Sequence, residues 1–146
     1  MEKFRKLLLS KSLLKAIEEA KFTEPSEIQE KTIPLVLEGK DVLGSSATGS
    51  GKTLAFGAGI IEKVQKGKGI QALILTPTRE LAEQVAQTLR KFSRHYWFMV
   101  KEVYGGVSIN PQIRKIERAE IVVGTPGRIL DHLERRTLNL SKLIWL

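Results

Sequence analysis

The sequence has no cysteine among its 146 residues, only two histidines, and aromatic residues at 6%. Without cysteine there is neither a disulfide framework nor a thiolate metal site. His95 and His132 lack ligand-spaced partners, so no metal site built from side chains alone is expected. No apolar run approaches the roughly 18 residues of a membrane span. The opening MEKFRKLLLSKSLLK keeps charges on both sides of its three leucines and does not read as a secretory signal. These absences leave a cytoplasmic protein with no membrane partner as the expectation. Linkers, low-complexity tracts and internal repeats are also missing, so the chain reads as one continuous domain. Acidic residues are the minority, 16 against 24 Lys and Arg, for a formal charge of +8. Such a balance favours polyanionic partners, nucleic acid first and anionic lipid second, although ordinary solubility charge has the same sign.

What is present is an alternation. SKSLLKAIEEAKF has helical spacing behind a Ser10 or Ser12 cap, and PSEIQEKTIPLVLEG restarts with Ser26 and Gln29 in capping-box positions. Pro34 inside that second segment suggests a bend or break. DVLGSS reads as a short buried strand, and KTLAFGAGIIEKVQKG as the helix after it. GIQALILTP, MVKEVYGG, EIVVGTP and KLIWL read as further strands. TRELAEQVAQTLRKFSR, NPQIRKIERA and GRILDHLERR are the intervening helices. Strands alternating with helices predict an α/β fold, a three-layer α/β/α parallel sheet. Ligands of such sheets bind beyond the carboxyl ends of the strands, so the loops after Ser45, Thr76, Tyr104 and Gly124 should share one edge.

The first of these loops carries the strongest chemistry. Gly51, Lys52 and Thr53 fit the end of the phosphate-loop pattern, while Ser46 stands where the general pattern has its first glycine. Gly49 and Gly51 allow turns that aim backbone N–H groups at an anion, and the following helix adds its positive end. Lys52 can reach the β- and γ-phosphates, and the Thr53 hydroxyl can ligate Mg²⁺. Elsewhere, Lys63, Lys66 and Lys68 read as a solvated loop. His95 to Phe98, HYWF, reads as core rather than as a base-stacking platform, and Trp145 also as core. Gln29 can pair with adenine's N6/N7 edge or serve only as a helix cap, and Phe22 can stack on a base or be a core aromatic.

Taken together, Ser46-Ala47-Thr48-Gly49-Ser50-Gly51-Lys52-Thr53 resembles the phosphate loop of the DEAD-box family of ATP-dependent RNA helicases, in which a small residue takes the first glycine's place. PTREL from Pro77 to Leu81, Gly105-Gly106, and TPGR from Thr125 to Arg128 follow in that family's order. Upstream, Phe22, Pro25, Ile28 and Gln29 are similar to its adenine-recognising segment, with Phe4 at the further upstream aromatic. Lys21 departs from the glycine usual beside Phe22.

The resemblance implies a P-loop, RecA-like ATP-binding domain, with residues 1–38 as an adenine-recognition helical segment and 39–146 as the core. It implies ATP with Mg²⁺ at Thr53, Lys52 as the catalytic cation, and nucleotide contacts from Phe4, Phe22, Gln29 and Ser46 to Thr53. It implies sequence-nonspecific contacts to the RNA backbone from Pro77, Thr78, Arg79, Gly105, Gly106, Thr125, Pro126, Gly127 and Arg128. The family's acidic motif should follow the KLIWL strand, and the sequence ends at Leu146. The expected reading is therefore a fold incomplete at its C-terminal end, lacking a second helicase domain and unable to hydrolyse ATP alone. The alternatives are another P-loop NTPase, which would not prefer adenine, and a nucleic-acid-binding module indifferent to nucleotide.

Overall fold

Capping chemistry and hydrophobic period decide where this chain becomes helix. The computed structural model describes all 146 residues. They fall into two compact units, Met1–Lys63 with Lys91–Tyr96, and Val64–Arg90 with Trp97–Leu146.

The first unit is helical: α1 (Glu2–Arg5), α2 (Lys11–Glu19), α3 (Glu27–Leu37) and α4 (Lys52–Lys63). Of the two candidate caps of α2 it is Ser10 that acts, its hydroxyl accepting the Leu13 N–H at 3.2 Å, and Leu13 and Ile17 point inward. The capping box of α3 forms as expected. Helix α3 runs through Pro34 without ending, and the Glu38 N–H still reaches the Pro34 carbonyl at 3.1 Å. Helices α3 and α4 lie so close that a Cβ on Gly59 would collide with the Val36 side chain.

One strand expectation fails here. Residues 41–46 form no strand, and Leu43 is fully exposed. A strand is defined by its ladder partners, and none pairs with this segment, so its apolar residues have no sheet to enter.

The second unit holds the sheet: β1 (Ala72–Leu75), β2 (Val100–Val103) and β3 (Ile121–Gly124), in the order β1-β3-β2 and all parallel. Helices α5 (Arg79–Phe92) and α6 (Asn110–Ile116) make the crossovers, and α7 (Pro126–Glu134) follows β3. Central β3 is buried along its whole length, as a fully covered strand must be. Leu73, Val103, Val122 and Ile129 form the core with Ile116 and Leu138. The KLIWL segment is only partly a strand: Trp145, itself half-buried, makes a single parallel bridge to Ala72, and its buried indole N–H has no partner. No helix is long and apolar enough to cross a membrane.

Candidate nucleotide loop and nucleic-acid edge

The glycine loop joins residues 41–46 to α4. Gly49 and Gly51 adopt φ of +79° and +80°, the left-handed region that glycine enters without strain. The Lys52 ammonium folds back, donating to the carbonyls of Ser46 and, at 3.0 Å, of Ala47. Ser26 Oγ donates to the Ser50 carbonyl at 2.7 Å, and Gln29 Nε2 donates to the Gly51 carbonyl at 3.1 Å. Gln29 Oε1 meanwhile accepts the Ser26 N–H at 3.0 Å. The capping and nucleotide-segment readings of Gln29 thus meet in one side chain, buried to 1% exposure and braced on the loop. The bracing requires glycine at 51, because a Cβ there would collide with the Gln29 amide.

These residues suit a phosphate and its metal on one structural ground beyond the sequence pattern. Ser50 Oγ is buried without any hydrogen-bond partner, an orphaned polar atom inside the loop. The Lys52 and Thr53 side chains leave the first turn of α4 beside it, one exposed and one half-buried. No group of three His, Asp or Glu side chains gathers to hold a metal, so any ion would rely on Thr53 and the phosphates themselves. Thr48 and Ala47 lie exposed on the rim.

Phe22 is half-buried, its ring edge-on to Phe92 with centroids 5.7 Å apart. Phe4 departs from expectation. It is completely buried, and a base cannot stack on a ring that has no accessible face.

In the second unit the register brings the motif loops together. Leu75, Gly124 and Val103 are laterally paired at the carboxyl ends of the three strands. The ladder continues one step further, Thr76 N–H to the Gly124 carbonyl at 2.9 Å and Thr125 N–H to the Val103 carbonyl at 3.2 Å. Segments 76–79, 104–106 and 125–128 therefore leave the sheet at one level. The segment before the Ser45 loop contributes no strand to this sheet, so the register brings together three of the four loops expected to share an edge.

Thr78 caps α5 by accepting the Leu81 N–H, and Thr125 sits at the N-cap of α7 with Pro126 and Gly127 exposed after it. Both helices present their positive ends at this edge. Gly105 and Gly106 are exposed, and Gly106 has φ of +80°. Arg79 stacks over the Tyr104 ring at 4.5 Å and pairs with Glu83, whose carboxylate accepts the Tyr104 hydroxyl at 2.8 Å. That hydroxyl, then Arg79, holds the Glu83 carboxyl below the usual range.

Arg128 is less available than its sequence position suggests. Its guanidinium forks onto the Val107 carbonyl at 3.1 and 3.0 Å and donates to Gln112 Oε1 at 3.2 Å, leaving the side chain 13% exposed. Gln112 in turn donates to the Tyr104 carbonyl and faces His132 Nε2 at 3.3 Å. His132 is fully buried, with Nδ1 2.8 Å from the Thr137 hydroxyl. Burial first, and Arg128 second, push its pKa down. Gln112 and His132 were not singled out from sequence as part of this edge. The spacing of His132 four residues after Arg128, on the same face of α7, was the only available signal.

The family model described as DEAD/DEAH box helicase matches residues 26–146. The chain is 52% identical, over 143 residues, to the ATP-dependent RNA helicase CshA of Listeria monocytogenes, covering 97% of this chain and 28% of that protein. Among solved structures it is similar to a DEAD box protein from the hyperthermophile Methanococcus jannaschii. There the TM-score is 0.93 at 46% identity, over 97% of this chain and 39% of the other. A hypothetical ATP-dependent RNA helicase from Sulfolobus tokodaii aligns with a TM-score of 0.84 at 42% identity, over 92% and 39% of the two chains. The chain thus spans under half the length of each of these relatives.

Proposed function

This chain belongs to the DEAD/DEAH box helicase family, and from that premise we propose that it forms the ATP-binding, RNA-contacting first domain of a cytoplasmic ATP-dependent RNA helicase. The observation that carries the nucleotide reading is the glycine loop with its left-handed Gly49 and Gly51 and the orphaned Ser50 hydroxyl. On binding, Lys52 exchanges its contacts with the Ser46 and Ala47 carbonyls for the β- and γ-phosphates. The loop N–H groups of residues 46–53 cradle the phosphates, and Thr53 Oγ1 would hold Mg²⁺, which neutralises phosphate charge when bound. Phe22 offers its ring to the base, and Gln29, buried against the loop, meets the adenine edge only by giving up its bond to the Gly51 carbonyl.

In the second unit, the loops at 77–79, 105–106 and 125–128 contact an RNA sugar–phosphate backbone through backbone N–H groups, helix ends and Arg79. Such contacts position a strand without reading its sequence. Arg128 acts first as the brace of the Gly105–Val107 loop and meets a phosphate only by giving up that carbonyl. Hydrolysis is assigned to the longer protein, whose second helicase domain closes on the nucleotide. The loop residues bind phosphate, and none of Ser46–Thr53 is a general base.

Titration of the chain with fluorescent ADP and GDP, with and without Mg²⁺, tests the nucleotide reading. Adenine-selective binding that disappears in Lys52→Ala and Gln29→Ala is expected. Equal affinity for the two nucleotides, or undiminished binding by Lys52→Ala, would overturn it.

A further inference from the structure

The segments that lead into the three strands emerge at the opposite edge of the second unit's sheet from the motif loops. Residues 65–71 enter β1, residues 97–99 enter β2 and residues 117–120 enter β3. Glu120, buried to 4% exposure, ties two of them together. One carboxylate oxygen accepts the Gly67 N–H at 2.9 Å and the other the Met99 N–H at 2.7 Å. Lys66 adds a bond to the Trp97 carbonyl at 2.6 Å.

Between these ties Trp97 is held at φ +63°, a conformation a bulky side chain rarely takes, with 79% of the residue in solvent. The sequence reading of HYWF as core fails at this residue. Lys142 lies against the 65–71 segment, its Cγ 3.7 Å from where a Gly69 Cβ would be. Lys66, Lys68, Arg118 and Lys142 are all exposed, and none has a carboxylate within ion-pair distance. Glu120 is occupied by two backbone donors, which leaves Glu117 as the exposed acid of these segments.

From this arrangement we infer that the edge is a second binding surface for single-stranded nucleic acid, with Trp97 stacking on a base and Lys66, Lys68 and Lys142 meeting the flanking phosphates. An exposed indole among cations that no carboxylate neutralises is what a strand with π-faced bases and a charged backbone requires. A protein partner bound by apolar burial would find little here, since cations outnumber the exposed apolar groups Trp97 and Ile144. The surface adds to the motif loops and is independent of them, because those loops follow the strands that these segments precede.

The test uses the whole chain and a fluorescein-labelled 12-nucleotide oligouridylate, read by anisotropy and by tryptophan emission. Arg79→Glu/Gly127→Glu places negative charge on the motif edge at two exposed positions, so what remains is binding by the opposite edge. That variant is expected to bind the oligonucleotide with quenched emission. Adding Trp97→Ala should weaken it between about fivefold and 150-fold, the range for one stacked base. Trp97→Phe should recover most of the affinity while abolishing the emission change. Lys66→Ala/Lys68→Ala should lower the slope of log affinity against log salt by about 1.4. Absence of binding by Arg79→Glu/Gly127→Glu, or binding that leaves emission unchanged, would overturn the inference. The motif-loop reading is judged separately, by whether that variant binds more weakly than the unmodified chain.

Discussion

Replacing Gln29 by glutamate separates two duties that one amide performs. Its oxygen accepts the Ser26 N–H at 3.0 Å and its nitrogen donates to the Gly51 carbonyl at 3.1 Å, with the residue 1% exposed. Gln29→Ala removes both bonds and leaves the Ser26 N–H unpaired, while the Gly51 carbonyl keeps the Ala55 N–H at 3.2 Å. At about 1–3 kcal/mol for the orphaned N–H and about 0.5–1.5 kcal/mol for the second lost bond, the cost should be roughly 1.5–4 kcal/mol. Gln29→Glu keeps an oxygen on the Ser26 N–H, in the first turn of α3, where the helix dipole favours negative charge by about 0.3–1 kcal/mol. Its second oxygen then faces the Gly51 carbonyl with no proton to share. Burying that carboxylate against a carbonyl oxygen outweighs the dipole term, so at neutral pH the glutamate variant should lose about 3–5 kcal/mol, at least as much as alanine.

Urea denaturation followed by circular dichroism reads the stability, and titration with fluorescent ADP reads the loop. Both variants should lose at least about tenfold in ADP affinity, the equivalent of one hydrogen-bonded tether, and both should lower the denaturation midpoint at neutral pH. Lowering the pH protonates the buried glutamate and restores a donor toward Gly51, so its ADP affinity should partly recover on acidification. A glutamate variant whose midpoint fails to rise relative to alanine on acidification would show that the two bonds of the Gln29 amide are not what it contributes. ADP binding by Gln29→Glu at the parental level would show that the Gly51 tether does not shape the pocket.

Gly124→Ala places a Cβ 2.6 Å from Ile129 Cδ1 and 2.9 Å from Val103 Cγ2 in the buried core. It should destabilise the chain by about 1–3 kcal/mol in chemical denaturation, and an unchanged midpoint would refute the packing account. His132 has a lowered pKa because of burial, with Arg128 and Arg135 adding to the effect and Asp131 opposing it. The unfolded chain then binds a proton that the folded chain refuses. Its contribution is complete above about pH 6.5 and is lost as the pH falls through that value toward the lower folded pKa. Thermal midpoints between pH 8 and pH 5 should drop more steeply for the parent than for His132→Gln, and parallel profiles would refute the assignment. Arg128→Lys cannot fork onto the Val107 carbonyl. Hydrogen exchange at Gly106 and Val107 should accelerate in that variant, together with weaker RNA binding, and unchanged exchange would remove Arg128 from its bracing role.

The helices and their caps were legible because their signals are local. Ser10 and Ser26 precede apolar residues at helical spacing, and both helices start where those serines stand. Three of the predicted strands were equally plain, as apolar runs bounded by turns, and the motif loops follow them. What stayed hidden depends on partners remote in sequence. The run at 41–46 has the composition of a strand but no neighbour to pair with. Helix α1 is a single turn closed on a buried Phe4, too short for periodicity to register. Trp97 has the chemistry of a core residue and is held outward by Lys66 and by the clamp of a glutamate distant in sequence. Arg128 stands at the motif edge, and its engagement with Val107 is a matter of loop geometry that the sequence does not carry.

The Gln112 side chain joins the Tyr104 carbonyl, the Arg128 guanidinium and the His132 ring. This wiring constrains how related sequences can drift. An apolar residue at 112 would leave the buried Nε2 of His132 unpaired and take one bond from Arg128 at once, so such a change should be tolerated best where 128 and 132 have already altered. Positions 112, 128 and 132 should therefore vary as a group across the family, with Gln-Arg-His kept or exchanged as a set. The spacing of the family's loop motifs would then be inherited along with two polar residues, Gln112 and His132, that lie outside them.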